Sequence, residues 1–550
     1  MTSRWFSAIM AAGLLAVPAY GQNVPTLDRS DPAIAQEETR KPEDAKTPGQ
    51  DSDRLQAAPR AAAAAALPRF VVGAVRVEGA EQVPAAAFAP AIEQYLGQSV
   101  GTEELRALAG AVAAKARERG FPLATAWVPA QTVAGGVLVV RVDEGRIHEI
   151  RASGPAAATA ERWLQPLATG RPVTAVELER RLLLAGDVAG VSIREPRVVR
   201  EGARNVLQVA TRQRRVLGRA TIDNWGTSTI GPVRARMSVD VNGVLAGDDR
   251  LSLGVGVTPL EPEEYQLAEA SYTAALGTSG LELRTRGYVS RTEPGGTLSG
   301  RGFEGLGFEV ETGLSYPLIR SRAGSLWSRL DVTVRDSELD RQGLAVRNDR
   351  VTSATLGLYG NGLFGGGRLR TRLSVVQGLN AFGATPAGDV LASRQDAQPD
   401  FTKLALWAYY TRPLAGPFSF ALGMDAQITS APLLASEEMG LGGRSFGRGF
   451  DFREFSGDRG LAASGELRFD LKTLPRPVRD AQLYAFVDGG VVRNLQGGRG
   501  DGSLASAGAG VRVELRSRIG LNAELGVPLT DGTYGFRPSP RFSFGVSARF

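Results

Sequence analysis

Between about residue 217 and residue 550, polar and apolar residues alternate with a period of two, segment after segment. Arg234, Arg236, Ser238, Asp240 and Asn242 are polar, and Ala235, Met237, Val239 and Val241 between them are apolar. Successive side chains of a strand point to opposite faces, so each such segment is a strand with one wet and one apolar face. The pattern recurs at 251–257, 281–289, 306–314, 330–334, 369–375, 418–426, 467–471, 511–515, 521–527 and 542–550. About sixteen segments of about 8 to 11 residues match the length that crosses a bilayer at a tilt. A soluble sandwich would also alternate, and the connections decide between the two. Short links (243–249, 277–280, 415–417, 517) alternate with longer ones (291–301, 336–350, 378–402, 429–460), the layout of an outer-membrane barrel. An even strand number returns both barrel ends to one side. The expected fold is therefore a transmembrane β-barrel of about 16 antiparallel strands over residues 217–550.

The rest of the chain agrees. Arg4 followed by an apolar run from Phe6 to Ala19 and the small residues Ala19 and Gly21 reads as a cleaved export signal over residues 1–21. No later apolar stretch reaches the about 20 residues of a membrane helix. The chain holds no cysteine, which excludes a disulfide framework and suits an oxidising periplasm. It holds 68 glycines in 550 residues, well above the usual ~7%, as turn-rich barrels do. The formal charge is +6, with Arg supplying nearly all basic residues. Because the arginines sit on the polar parity of the strands, they are expected to line a lumen and meet carboxylates there, with no nucleic-acid partner. Arg368, Arg370 and Arg372 share one face in this way.

Ahead of the barrel, residues 22–68 are polar and proline-rich and end in the alanine tract 61–66. They read either as plain linker or, because Asp31 caps and Pro32 suits a first turn, as a short helix through Lys41. Residues 69–147 and 148–216 then repeat one order: strand, helices, two strands. In the first, Val71, Gly73, Val75 and Val77 alternate, and Leu105, Leu108, Ala109 and Val112 mark a helix over 103–119. In the second, Trp163, Leu164 and Leu167 mark one helix and residues 176–184 another. Each is long enough for a small α+β domain.

Little in the chain can carry catalysis. There is one histidine, His148, expected to serve packing. No Ser-His-Asp or Cys-His set and no ATP-binding motif is found, and no cofactor is expected. Residues 360–365 match a dinucleotide fingerprint literally, but a strand follows where a helix is needed, and the segment reads as a tight turn. Glu309 and Glu311 are expected to face Arg across the lumen.

The longest link between strands contains Gly447-Arg448-Gly449-Phe450 and closes with Gly457-Asp458-Arg459-Gly460. A later strand carries Phe486-Val487-Asp488-Gly489-Gly490, whose parity puts Tyr484, Phe486 and Asp488 towards the lumen. Together these resemble the two-partner secretion transporters, the haemolysin-activator and haemagglutinin-secretion branch of the BamA-like superfamily. Gly447 stands where that family carries Val or Ile. Gly120-Phe121-Pro122-Leu123-Ala124, Val128-Pro129-Ala130-Gln131 and Val142-Asp143-Glu144-Gly145-Arg146-Ile147 are similar to its first polypeptide-transport-associated (POTRA) domain, and Asp223-Asn224-Trp225-Gly226 with Gly231 to its first barrel hairpin. The resemblance covers about residues 70–550. It implies two POTRA domains, a plug helix in the pore, and a sixth extracellular loop folded inwards. There Arg448, Gly449 and Phe450 meet the wall residues Phe486, Asp488 and Gly490. It further implies an unfolded exoprotein as partner, pairing with a POTRA edge in the periplasm and leaving through the pore. Outer-membrane lipid, lipopolysaccharide and the barrel-assembly machinery are the other expected partners. A barrel-assembly factor of the same superfamily and a diffusion porin are the rival readings.

Overall fold

A computed structural model describes residues 26–39, 56–57, 63–202, 204–498 and 500–550. Sixteen antiparallel strands close into one barrel, each paired with its sequence neighbour and the first with the last. Closure runs from Arg219 opposite Arg549 to Asp223 opposite Gly545. Beyond that point the Asn224 side chain continues the ladder. Its Oδ1 accepts from the Phe544 N–H (2.6 Å) and its Nδ2 donates to the Phe542 carbonyl (2.9 Å). The Asn in the first-hairpin motif is thus a seam fastener.

Alternation sets which face each residue takes. Along Phe303–Arg320 every second residue is buried inward. Leu306, Phe308, Val310 and Leu314 face outward, where a bilayer supplies the apolar surroundings they need. Inside, Arg286 bridges Glu309 (2.8 Å) and Glu311 (3.1 Å), Arg329 joins Glu311 (2.6 Å) to Asp331 (2.8 Å), and Arg335 meets Glu309 (2.8 Å). These arginines meet carboxylates as their parity implies, whereas Arg368 donates to Asn361 (3.0 Å) and Arg370 lies over the Trp407 and Tyr409 rings.

Two details differ from the sequence reading. Residues 336–350 are not a long loop: strands Gly324–Arg341 and Leu344–Phe364 run on to a tight hairpin. These strands are 18 and 21 residues long, longer than a crossing requires. Past the bilayer their outer face meets water, so Asp336, Glu338 and Asp340 lose the apolar alternation that marks a strand. The fingerprint-like 360–364 is likewise strand, and the turn lies at Gly365-Gly366, both with positive φ.

Two small α+β units precede the barrel. In the first, helix Thr102–Glu118 buries Leu105, Leu108, Ala109 and Val112 against a sheet. The Glu104 carboxylate accepts from the Gly101 N–H at 2.8 Å, closing the first turn. The periodicity had concealed a further helical turn at Ala85–Phe88 and Ala89–Ile92, where two prolines and small residues leave no clear period. The family-like residues here are structural. Buried Glu144 accepts from the Gln82 and Val83 N–H groups (2.8 and 2.7 Å), and Gln131 both donates to and accepts from the Val139 backbone (2.8 Å each).

The second unit has helices Ala157–Leu164 and Ala175–Asp187 over strands Glu149–Ser153, Val191–Glu201 and Arg204–Gln213. His148 accepts from the Asn205 N–H through Nδ1 (3.0 Å). This unit docks on the short-turn end of the barrel. Arg320 grips Asp187 with two bonds (2.7 and 2.6 Å), Arg181 reaches the Thr278 carbonyl (2.8 Å), and Asp248 accepts from Arg162 (2.8 Å) and the Trp163 indole (3.2 Å). The short turns therefore mark the periplasmic end, and the long loops the other.

Candidate functional site

Among the described residues, two elements fill the lumen. The first is the N-terminal helix pair, Thr26–Arg29 and Pro32–Thr39. Asp31 caps the second helix through the Ala33 N–H (2.9 Å) and accepts from Ser337 (2.5 Å) on the wall. Arg347 binds Asp28 (2.6 Å) and lies 3.7 Å from Asp31. Thr292 donates to the Ser30 carbonyl and Tyr265 to Gln36, each at 2.9 Å. Ala33, Ile34 and Ala35 are buried. The helix sits this close because Gly305 and Gly307 offer no side chain, and a Cβ on either would come within 3 Å of Pro32. Among the described residues the helix ends at Thr39; Lys41, like the export signal 1–21, lies outside them.

The second element is the loop between strands Phe418–Thr429 and Arg459–Asp470, the sixth on the long-loop end. It folds back into the barrel and carries a hairpin, Met439–Leu441 with Phe455–Gly457. Its apolar residues Met439, Leu441, Phe446, Phe450 and Phe455 pack with Val492 and Leu504 of the wall. This explains why a loop so rich in glycine holds one shape.

At its tip the sequence-predicted residues come together. Arg448 Nε donates to Asp488 Oδ2 at 2.6 Å, and Nη1 reaches Glu466 (2.8 Å) and Glu524 (3.1 Å). The guanidinium carbon lies 3.5 Å from the centre of the Phe486 ring, a cation–π contact. Asp488 also accepts from the Gly447 N–H (3.0 Å), the Arg448 N–H (3.3 Å) and the Ser506 hydroxyl. Its side chain is 0% exposed and that of Arg448 7%. Desolvating two charges is costly, and here it is offset by four donors to Asp488 and by bonds from Arg448 to three carboxylates.

The departure at Gly447 has a reason. Its φ is +81°, a conformation in which Val or Ile would be strained, and its N–H is one of the Asp488 donors. Gly449 presses against the wall, where a Cβ would stand 2.8 Å from Pro528 N. Phe450 is 1% exposed. Gly490 lies under Leu441, and a Cβ there would stand 2.7 Å from its Cδ2.

Sequence reasoning missed much of the clamp. Glu466, Glu524 and Ser506 are ordinary lumen-parity residues, and nothing local says which arginine they meet. It also missed the knot above. Asp458, fully buried, accepts from the Leu433 N–H (2.8 Å), the Leu495 N–H (2.7 Å) and Arg394 (2.7 Å), tying three extracellular loops. Plug and loop six also hold each other: Arg29 donates to Glu454 at 2.8 Å and lies 3.5 Å from Asp451.

A sixteen-stranded barrel with a small α+β unit on its periplasmic end, an inward loop and a helix in the lumen defines an outer-membrane transporter of the POTRA-bearing class. Residues 202–513 match the family of haemolysin secretion/activation proteins ShlB/FhaC/HecB, and residues 70–145 the ShlB-type POTRA domain. The chain belongs to this family, whose named relatives are two-partner secretion outer-membrane transporters. It is similar to the outer membrane transporter CdiB of Escherichia coli, with 26% identity covering 78% of this chain and 74% of the relative. It is also similar to the heme/hemopexin transporter protein HuxB of Haemophilus influenzae (strain 86-028NP), with 23% identity covering 80% of each. The solved structure of CdiB from Escherichia coli superposes with a TM-score of 0.74 and 21% identity over 96% of this chain and 100% of that one. BamA from Haemophilus ducreyi lacking POTRA domains 1–3 shares the fold at a TM-score of 0.52 and 13% identity.

Proposed function

We propose that this chain captures its exoprotein unfolded in the periplasm and passes it through the lumen once the plug helix and loop six move. In this reading residues 1–21 direct export, 22–68 form plug and linker, 69–147 and 148–216 are the two POTRA units, and 217–550 is the pore. The single observation that carries it is that both obstructions in the lumen are held by side-chain bonds rather than by the strand ladder. They can leave without opening the barrel wall. The cargo would add a strand to a POTRA sheet edge and then slide along a lumen in which Arg286, Arg329 and Arg335 are already paired with carboxylates, so that it meets a polar surface of reduced net field. Folding outside would supply direction. Lipopolysaccharide phosphate around the barrel and the barrel-assembly machinery acting on the final strand through Phe550 complete the proposed partners.

Arg448, Gly449 and Phe450 would act as the removable catch and Phe486, Asp488 and Gly490 as its seat. The test is to co-express the chain with exoproteins of its own genome and measure each in the medium. Export by the unaltered chain, lost in Arg448→Ala and Asp488→Ala while both barrels remain assembled in the membrane, is expected. Normal export by both variants would remove the clamp from the mechanism.

A further inference from the structure

The segment between the plug and the first POTRA unit covers two sheet edges. Gln56–Ala57 pairs in parallel with Val191–Glu201, Gln56 opposite Arg197 and Ala57 opposite Val198. Ala63–Ala64 pairs in parallel with Thr125–Val128, Ala63 opposite Trp127 and Ala64 opposite Val128, and the Ala65 N–H donates to the Val128 carbonyl at 3.0 Å. In both sheets the linker strand occupies the end position. Each therefore covers an edge whose N–H and C=O groups would otherwise invite another strand.

The grip is slight. Two residues engage a strand of 11 in one sheet and two engage a strand of 4 in the other. The second pair is alanine, among the poorer strand formers. Ala64 and Leu67 alone in residues 63–69 pack on the apolar core of the unit. The opposite edge of that sheet, Ala74–Glu78, carries Arg76 and Glu78, whose side chains pair with each other at 3.0 Å. Thr125–Val128 has no charge at all. Charge discourages pairing at one edge, and only a short, weak strand guards the other. The six steps from Ala57 to Ala63 span at most about 20 Å, so the two guarded edges lie close enough for one extended polypeptide to follow both.

We propose that the strands Gln56–Ala57 and Ala63–Ala64 are residents that hold these edges until an extended cargo polypeptide, with alternating apolar side chains, displaces them. This rests on the transport reading and adds to it how loading is linked to the plug. In the resting structure the plug's tether is held from Gln56 onward. After displacement it is held only from Leu67, so the helix gains reach as the cargo arrives. A cargo strand wins because it can pair along the whole edge and bring β-branched side chains, whereas the resident offers two alanines.

The chain has no cysteine, so Ala64→Cys with Val128→Cys creates one possible disulfide, across neighbouring strands at a Cα separation such bonds accept. Ala65→Pro removes the N–H that donates to the Val128 carbonyl and loosens the resident strand without touching the edge. The full-length protein in detergent is titrated with a dye-labelled, lysine-flanked peptide of alternating Thr and Val. Binding at least tenfold tighter to Ala65→Pro than to the unaltered chain, and at least tenfold weaker to the oxidised cysteine pair than to the same protein reduced, is expected. Equal binding by all forms, or none by Ala65→Pro, overturns the proposal. In cells, export by the oxidised pair should fall at least tenfold and return on reduction. Equal export by both forms defeats the resident strand and leaves transport standing, whereas failure of the unaltered chain to export defeats the transport reading itself.

Discussion

Replacing Asp488 by Ala removes the acceptor around which the loop-six tip is built. Four donors lose their partner: Arg448 Nε at 2.6 Å, the Gly447 and Arg448 N–H groups at 3.0 and 3.3 Å, and the Ser506 hydroxyl. Removing one partner of a buried pair costs about 3 to 5 kcal/mol. Arg448 keeps Glu466 at 2.8 Å and Glu524 at 3.1 Å, so the low end applies. About 3 kcal/mol corresponds to a rise of roughly 100-fold in the undocked fraction of the loop. Hydrogen exchange of the full-length protein reads this directly, because the amides of Gly447, Arg448 and Gly449 are bonded to wall side chains only while the tip is docked. They should exchange about 100-fold faster in Asp488→Ala, by the same conversion, while wall amides in Val478–Arg493 stay protected. Arg448→Ala should give a similar gain, and the double variant little more, because the two act as a unit. Tip exchange within about twofold of the unaltered chain would refute the clamp, since that ratio leaves under 0.5 kcal/mol for it.

Three further outcomes follow from the same contacts. Asn224→Ala loses two seam bonds, about 1 to 2 kcal/mol together, and should lower the temperature at which the barrel unfolds on a denaturing gel; an unchanged transition would mean the ladder alone closes the seam. Gly449→Ala places a Cβ 2.8 Å from Pro528 N and should loosen the tip by about 1 to 3 kcal/mol, seen as protease cleavage within 443–453. The third concerns pH. Burial, with help from Asp28 and Asp458 and against Arg453, pushes the Glu438 carboxyl in loop six up to about 7 from 4.5. The docked loop thus holds a proton that the free loop releases. Docking gains this stabilisation in full below about pH 4.5 and loses it as pH rises through about 7. Exchange at Met439–Leu441, corrected for intrinsic rate, should increase across that window and be flat in Glu438→Gln.

What the sequence made legible follows from where physics is local. Strand parity is local, so the barrel, its strand number and the inward aim of Phe486 and Asp488 could be read from residues alone. The pairing of Arg448 with Asp488 came from motifs seen together, not from spacing, because forty residues of chain separate them. Glu466, Glu524 and Ser506 complete the clamp only through the curvature of the closed sheet, which no segment encodes by itself. The hairpin at 336–350 was hidden because a strand wet on both faces has no hydrophobic period. The short strand at Ala63–Ala64 was hidden because an alanine tract carries no strand preference, and Gln56–Ala57 because two residues show no period; only the neighbouring edge makes either a strand.

The claim that most needs testing is that cargo travels through the lumen that the plug fills. Pro32 on the plug faces Gly307 on the wall, where an added Cβ would stand 2.7 Å from that of Pro32. Pro32→Cys with Gly307→Cys can therefore close a disulfide after a shift of about 1 Å. Exoprotein in the medium is measured with this bond formed and again after reduction. Export that stops with the plug covalently held and resumes when it is freed is the predicted result, and export at the same rate in both states would contradict passage through the pore.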